Sequence, residues 1–335
     1  MEYKKPQSTI IQGNVGIYPL TTADQVILAD GTRLEKDGKI NVDVANSANS
    51  AKLGGKAPEY YIQPRNLLDN SDFRNPVNQR AITSADVSAW TYSIDRWKVE
   101  DDTLTISVET DGIHLTASSR AWFAQWIQMS NNDVGKTFTL AYGLSDGSII
   151  MASGTMPDAS EWTEFITGAN DAAQIRVACF ENRKITVGFN PKSNLVIKWA
   201  ALYEGSYTAD TLPPYVPKGY AAELAECQRY FERIGQSGAN RGNASMLMAV
   251  GNAGEMRVLQ GYRVPKRIIS PTIMVNGKAV GETVSVRNSM TDVSCTGVLS
   301  VWNNTCADRL NTLTVAGTSV VGAVYEGYLD IIADL

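Results

Sequence analysis

The chain has 335 residues, about twice the usual domain length, so two or three domains are expected. With 44% hydrophobic and 19% charged residues, the composition suits a folded soluble protein and excludes a largely disordered one. A formal net charge of −5 offers no basic field for a phosphate backbone, which disfavours nucleic-acid binding.

In chain order, residues 1–65 do not read as a self-sufficient globule. Apolar runs are short, and Asp30-Gly31 and Asp37-Gly38 are hairpin-turn dipeptides around Thr32–Lys36. The echo Asn46-Ser47-Ala48, Asn49-Ser50-Ala51 leads into Lys52-Leu53-Gly54-Gly55, too small and polar to fill a core unaided. Such a segment is best ordered by copies of itself or a docking partner, with a plain linker as the alternative.

Residues 66–216 alternate apolar and polar positions between turns, as in Leu104–Val108, Ile113–Thr116, Thr137–Tyr142, Ile175–Ala178, Ile185–Phe189 and Leu195–Trp199. Many short strands without intervening helices predict an antiparallel sandwich. Pro213-Pro214-Tyr215-Val216-Pro217 reads as a stiff connector. Next, Leu224, Cys227, Phe231 and Ile234 form one stripe, with Glu223, Glu226 and Glu232 off it, predicting a helix over 219–234. The rest of 217–335 is β-rich, with strands expected at Thr272–Val275, Thr283–Val286 and Val298–Val301 and a last strand within Val324–Ile331. The fold class expected is therefore mainly β, with a central sandwich, one connecting helix and a β-rich C-terminal domain.

The chemistry-bearing residues argue against catalysis. The single histidine, His114, excludes poly-histidine metal sites and reads as an ordinary sheet residue. No G-x-S-x-G elbow, phosphate-cradling glycine loop or HExxH motif occurs, and Glu100-Asp101-Asp102 reads as a solvated turn. Cys179, Cys227, Cys295 and Cys306 show no CxxC spacing; buried thiols are expected, with Cys295–Cys306 pairing as the alternative. Asp69, Asn70, Asp72 and Asn75 offer hard oxygens near the start of the sandwich, but turn and cap roles explain them better than calcium. No cofactor or metal is expected. Neither a signal-peptide core nor an apolar run of membrane-spanning length is present, so synthesis in a cytoplasm without membrane insertion is expected.

A sugar-binding surface needs flat aromatic faces beside hydrogen-bonding groups, and Ala121–Gln128 is the best local supply. On a strand, Trp122, Ala124, Trp126 and Gln128 share one face, which puts the two tryptophans about 13 Å apart. Sequence leaves open whether that face or the one carrying Phe123, Gln125 and Ile127 is the core. Trp90, Tyr92 and Trp162 are secondary candidates, while Trp97 reads as a core anchor beside an Asp95–Arg96 ion pair.

Three stretches carry a resemblance. NLLDNSDF (66–73) and LVIKWAALYEG (195–205) resemble the opening and closing strands of jelly-roll carbohydrate-binding modules. More particularly, NLLDNSDFRNPVNQR (66–80), YSIDRW (92–97) and LYEGSYTADTLPPYVPKGYAAELAECQRYF (202–231) resemble tail fibre proteins of phages and prophages of Gram-positive gut bacteria. GIYPLTTADQVILADGTRL (16–34) is similar to the virion-attachment end of such fibres, and SANSAKLGGKAPEYY (47–61) to their shaft elements. The likeness covers residues 14–231; RVPKRIISPTI (263–273) resembles fibre tips more loosely.

What the resemblance implies is an elongated homotrimeric receptor-binding protein of the virion tail, without catalytic activity. Residues 1–65 would join tail or baseplate proteins and form the shaft, 66–216 a jelly-roll carbohydrate-binding-like module, and 217–335 a helix and tip domain. The partner outside the virion would be a bacterial surface glycan. A surface-polysaccharide depolymerase and a purely structural spacer are the alternatives.

Overall fold

The computed structural model describes residues 26–27, 33–34, 64–117, 119–235, 245–248, 255–268, 271–288, 294–302, 309–317, 324–327 and 329–333. The chain divides into two compact units, residues 1–63 and 64–335. In the first, β1 (Val26–Ile27) pairs antiparallel with β2 (Arg33–Leu34), consistent with the Asp30-Gly31 turn signal. The triplet echo, Asp37-Gly38 and the shaft-like stretch at 47–61 lie outside the described residues.

The second unit begins with a β-sandwich. Its strands are β3 (Ser84–Val87), β4 (Trp97–Glu100), β5 (Leu104–Glu109), β6 (Gly112–Ala117), β7 (Trp122–Gln128), β8 (Thr137–Leu144), β9 (Ile149–Thr155), β10 (Thr163–Ala169), β11 (Ala173–Phe180), β12 (Lys184–Pro191) and β13 (Leu195–Glu204). One sheet has the order β10-β11-β12-β7-β4 and the other β3-β5-β6-β13-β8-β9, with antiparallel pairing throughout. The chain crosses between the two sheets after β3, β4, β6, β7, β9 and β12, which gives the expected antiparallel sandwich.

Alternation assigns the faces. Phe123 and Gln125 of β7, Ile175 and Val177 of β11, and Val187 and Phe189 of β12 point inward and are buried. The apolar ones meet Leu104, Ile106, Ile113, Leu115, Leu140, Tyr142 and Leu202 of the facing sheet, while the Gln125 amide bonds to the Asp69 backbone. Trp97 is the central anchor the sequence suggested: fully buried, stacked on Phe123 at 4.7 Å, with Phe73 edge-on at 5.0 Å.

The opening motif is not the strand its resemblance implied. Residues 66–73 form an irregular segment beside β13 because their side chains bond locally. Asn66 Oδ1 accepts from the N–H groups of Leu68 and Leu202, and Asn70 Oδ1 accepts from Val77 N–H while its amide donates to the Val77 and Asp95 carbonyls. The hard oxygens at 69–72 are thus engaged with the protein; Asp69 pairs with Arg96 at 3.1 Å and Asp72 with Arg74 at 2.7 Å. The partner of Arg96 is therefore Asp69, where Asp95 had been expected; Asp95 accepts the Gln79 N–H.

The proline-rich connector lies against the sandwich. Tyr215 stacks on Trp199 at 5.0 Å, and with Tyr207 it packs over a cluster of Ala141, Ala201, Tyr203 and Leu212 on the outer face of the six-stranded sheet. The chain itself thus covers the β8–β13 part of that face, while Thr105 and Thr116 on β5 and β6 are exposed.

The helix is shorter than its stripe predicts. α1 spans Tyr220–Gln228, and Phe231–Ile234 forms β14 instead. Pairing of β14 with β23 (Leu329–Ile332) outweighs continuation of the helix, since the β-strand places Phe231 in a buried position. Glu223, expected off the stripe, is buried, and its carboxylate accepts the Asn70 N–H at 2.7 Å; this fixes α1 on the sandwich.

The C-terminal region completes the mainly β fold with β15 (Ser245–Met248), β16 (Glu255–Gly261), β17 (Thr272–Val275), β18 (Lys278–Ala279), β19 (Thr283–Asn288), β20 (Ser294–Trp302), β21 (Arg309–Gly317) and β22 (Val324–Gly327). A sheet of order β14-β23-β17-β18 adjoins a closed barrel, β15-β16-β21-β20-β19-β22. The last strand expected within 324–331 is two strands, β22 in the barrel and β23 in the sheet. Cys179 and Cys227 are buried free thiols; Cys306 lies outside the described residues, and its pairing with Cys295 with it.

Candidate functional site

The outer face of the five-stranded sheet carries the even-numbered residues of β7. Trp122, Ala124 and Trp126 point there, beside Glu100 and Lys98 of β4, Thr186, Gly188 and Asn190 of β12, and Gln174 and Arg176 of β11. Gly188 is required at the centre of this face. A Cβ there would lie 2.9 Å from Trp122 Cε3 and 3.5 Å from the Arg176 side chain, so glycine lets both large groups lie flat across β12.

Over this face opens a cleft of about 320 Å³ lined by Trp90, Glu100, Asp101, Arg120, Trp162, Glu164 and Arg176. Its floor is a buried ion pair: Arg176 Nη2 donates to Glu100 Oε2 at 2.8 Å. Glu100 Oε1 accepts from Thr186 Oγ1 at 3.0 Å and from the Trp126 indole N–H. The Arg176 guanidinium lies 3.9 Å above the Trp122 ring and 4.9 Å from that of Trp162, so cation–π attraction holds it from two sides. Arg176 Nη1 stands 3.9 Å from Glu164 Oε1, and Arg120 Nε is 3.7 Å from Asp101.

The rim is aromatic and exposed. Trp90, in the turn before β4, is 61% exposed, and Trp162, just before β10, is 52% exposed. Trp90 has φ +65°, in a region that costs a residue with a Cβ about 1–2 kcal/mol. Its N–H bonds to the Val99 carbonyl, which pins the strained turn to β4.

The structure thus brings together most of the aromatic residues singled out from sequence, in different roles. Trp122 and Trp126 do share the face turned away from the core, but neither is a bare platform. Trp122 is 4% exposed beneath Arg176, and Trp126 is half-buried beneath the Lys98 ammonium, with Phe180 edge-on at 4.9 Å. Tyr92 is half-buried, 6.0 Å from Lys98 and 4.6 Å from the Arg80 guanidinium. Gln128 is exposed at the far end of β7, opposite Lys184 and outside the cleft.

Sequence reasoning missed the polar half of the site. Glu100 is not part of a solvated turn: only Asp101 and Asp102 are exposed, while the β4 pairing turns Glu100 onto the sheet face beneath Arg176. The detectable signal was Arg176 itself, an arginine between Ile175 and Val177 that alternation puts on the outer face. Elsewhere, Glu109, Asp111 and His114 gather at the β5–β6 hairpin, where His114 Nε2 lies 2.7 Å from Asp111. None of the three lines the cleft; His114 bonds to Asp111, and Glu109 accepts from Ser107 Oγ at 2.9 Å.

Comparison with known proteins gives no match: no family model, curated protein or solved structure is similar to this chain.

Proposed function

We propose that the chain is a phage tail fibre, or receptor-binding, protein whose sandwich binds a glycan of the bacterial surface without cleaving it. The observation that carries this reading is the cleft on the one outer face of the sandwich lined by exposed tryptophans, with a fixed arginine and carboxylates between them. Sugar C–H faces stack on indole, and hydroxyls bond to charged groups held in place beforehand. The fibre-like motifs of residues 14–231 support the virion setting, in which residues 1–65 join the tail or baseplate and three chains associate. Three copies would multiply a weak sugar contact by avidity.

Binding is favoured over hydrolysis by the state of Glu100. Both its oxygens accept hydrogen bonds from Arg176, Thr186 and Trp126, so they are occupied within the protein and not turned to a glycosidic oxygen. The decisive experiment incubates soluble protein with host cells and measures competition with virions for adsorption, alongside release of reducing ends. Competition without release supports the proposal. Release of reducing ends makes the protein a depolymerase, and unimpaired virion adsorption leaves it a spacer. Light scattering of the full chain should give three times the chain mass; a monomer at micromolar concentration overturns the trimer.

A further inference from the structure

Resting on the glycan-binding reading, we infer that the cleft selects an uncharged sugar with neighbouring hydroxyls, and that Arg176 and Glu164 together read one such pair. The first support is charge balance. The cleft is lined by three carboxylates, Glu100, Asp101 and Glu164, and two guanidiniums, Arg120 and Arg176; Lys98, 5.6 Å from the Trp90 ring, brings the sum to zero. Each cation has its own counter-charge or ring: Arg176 has Glu100 and Trp122, Arg120 has Asp101, and Lys98 has Trp126. A phosphodiester or uronate entering here meets no uncompensated positive charge, and it meets the exposed carboxylate of Glu164.

The second support is geometric. The 3.9 Å between Arg176 Nη1 and Glu164 Oε1 is beyond hydrogen-bond reach, so each group keeps capacity towards the cleft. A hydroxyl both donates and accepts, whereas a carboxylate or phosphate oxygen only accepts and an ammonium only donates. Two hydroxyls on adjacent carbons therefore suit the pair as no charged group does: one accepts from Arg176 while the other donates to Glu164. Arg176 is already immobilised by Glu100 and Trp122, so little side-chain entropy is lost on binding. The volume, at the low end for small-molecule sites, holds about one or two sugar rings against Trp90 and Trp162.

The test applies full-length protein to an immobilised panel of neutral polysaccharides (glucan, galactan, mannan) and acidic ones (polygalacturonate, glycerol-phosphate polymer) at low and high salt. Expected is retention on at least one neutral polymer, insensitive to salt, with Glu164→Ala weakening it about tenfold. Glu164 is exposed, so the variant should keep the wild-type melting temperature. Retention on acidic polymers alone, collapsing with salt, overturns this inference and leaves glycan adhesion standing. Neutral binding unchanged by Glu164→Ala also overturns it. Retention on neither class removes the glycan reading and this inference together.

Discussion

Removing the Arg176 guanidinium should unfold the cleft floor before it affects anything else. Arg176 and Glu100 have side chains 5% and 2% exposed and approach to 2.8 Å. At an effective dielectric of about 20, that separation corresponds to about 6 kcal/mol of gross attraction, most of it offset by desolvation of both groups. The net value of the pair is accordingly small, but breaking it is costly. Arg176→Met leaves Glu100 charged and buried with only Thr186 and the Trp126 indole as donors, for a loss of about 3–5 kcal/mol. Glu100→Gln strands the guanidinium over Trp122, with Glu164 at 3.9 Å as its remaining counter-charge, and should cost about 2–4 kcal/mol. The double variant has no buried charge and should lie within about 1.5 kcal/mol of wild type, so the two losses are far from additive. Urea unfolding followed by tryptophan fluorescence reads all three, since Trp122, Trp126 and Trp162 surround the pair. If each single variant loses less than about 1 kcal/mol, or the double loses the sum of both, the floor is solvated and the preorganisation argued for Arg176 fails.

Other substitutions separate binding from scaffolding. Trp90→Ala and Trp162→Ala remove exposed rings and should each weaken glycan retention about fivefold without shifting the melting temperature, whereas Trp122→Ala should lower the melting temperature by opening a cavity. Equal melting shifts in all three would contradict the assignment of rim and floor. Asn70, buried with φ +52°, is held by three hydrogen bonds to backbone groups, so Asn70→Ala should cost about 3 kcal/mol and Asn70→Gly about 1 kcal/mol less, because glycine adopts that backbone freely. Denaturation midpoints check the order, and a reversed one removes the backbone argument. Burial raises the pKa of Glu223 against the opposing Asn70 N–H and Lys218 ammonium. A raised carboxyl holds its proton longer in the native state, so its contribution is full below the ordinary glutamate range and is lost as pH rises through the raised value. Glu223→Gln keeps an acceptor for Asn70 and should therefore gain stability relative to wild type from about pH 4 to about pH 7 in thermal melts. A constant difference across that range would mean the group is not displaced.

Much of the sandwich was legible because its strands obey one local rule. Leu104–Val108 and Ile185–Phe189 alternate strictly, and a two-residue period needs no knowledge of the partner strand to be read. The failures came where a long-range partner decided the outcome. Phe231 and Ile234 fit a helical stripe begun at Leu224, yet β23, about a hundred residues later, claims them for a sheet. The segment 66–73 contains strand-like residues, but side-chain bonds from Asn66 and Asn70 hold it irregular. Glu100 looked solvated because two exposed acids follow it, and only the register against Trp122 reveals that it faces Arg176. Aromatic candidates were visible one by one; their counter-charges were not, since ion pairs between β4 and β11 leave no mark in local sequence.

That division explains which tryptophans are left for a ligand. On the strands, an exposed indole face beside lysine and arginine is covered by the chain's own cations: Lys98 over Trp126 and Arg176 over Trp122. Those rings are spent on rigidity, and the charges they hold become the fixed polar groups of the floor. Trp90 and Trp162 lie outside the strands, where turn and loop geometry leaves more than half of each exposed to a partner, even with Lys98 5.6 Å from Trp90 and Arg176 4.9 Å from Trp162. The same division predicts how related clefts can change specificity without losing the fold. Substitutions at positions such as 90, 162 and 164 alter what is bound while the Glu100–Arg176–Trp122 unit stays intact. Substitution within that unit must be compensated in pairs, because each member covers a buried group that would otherwise stand unpaired.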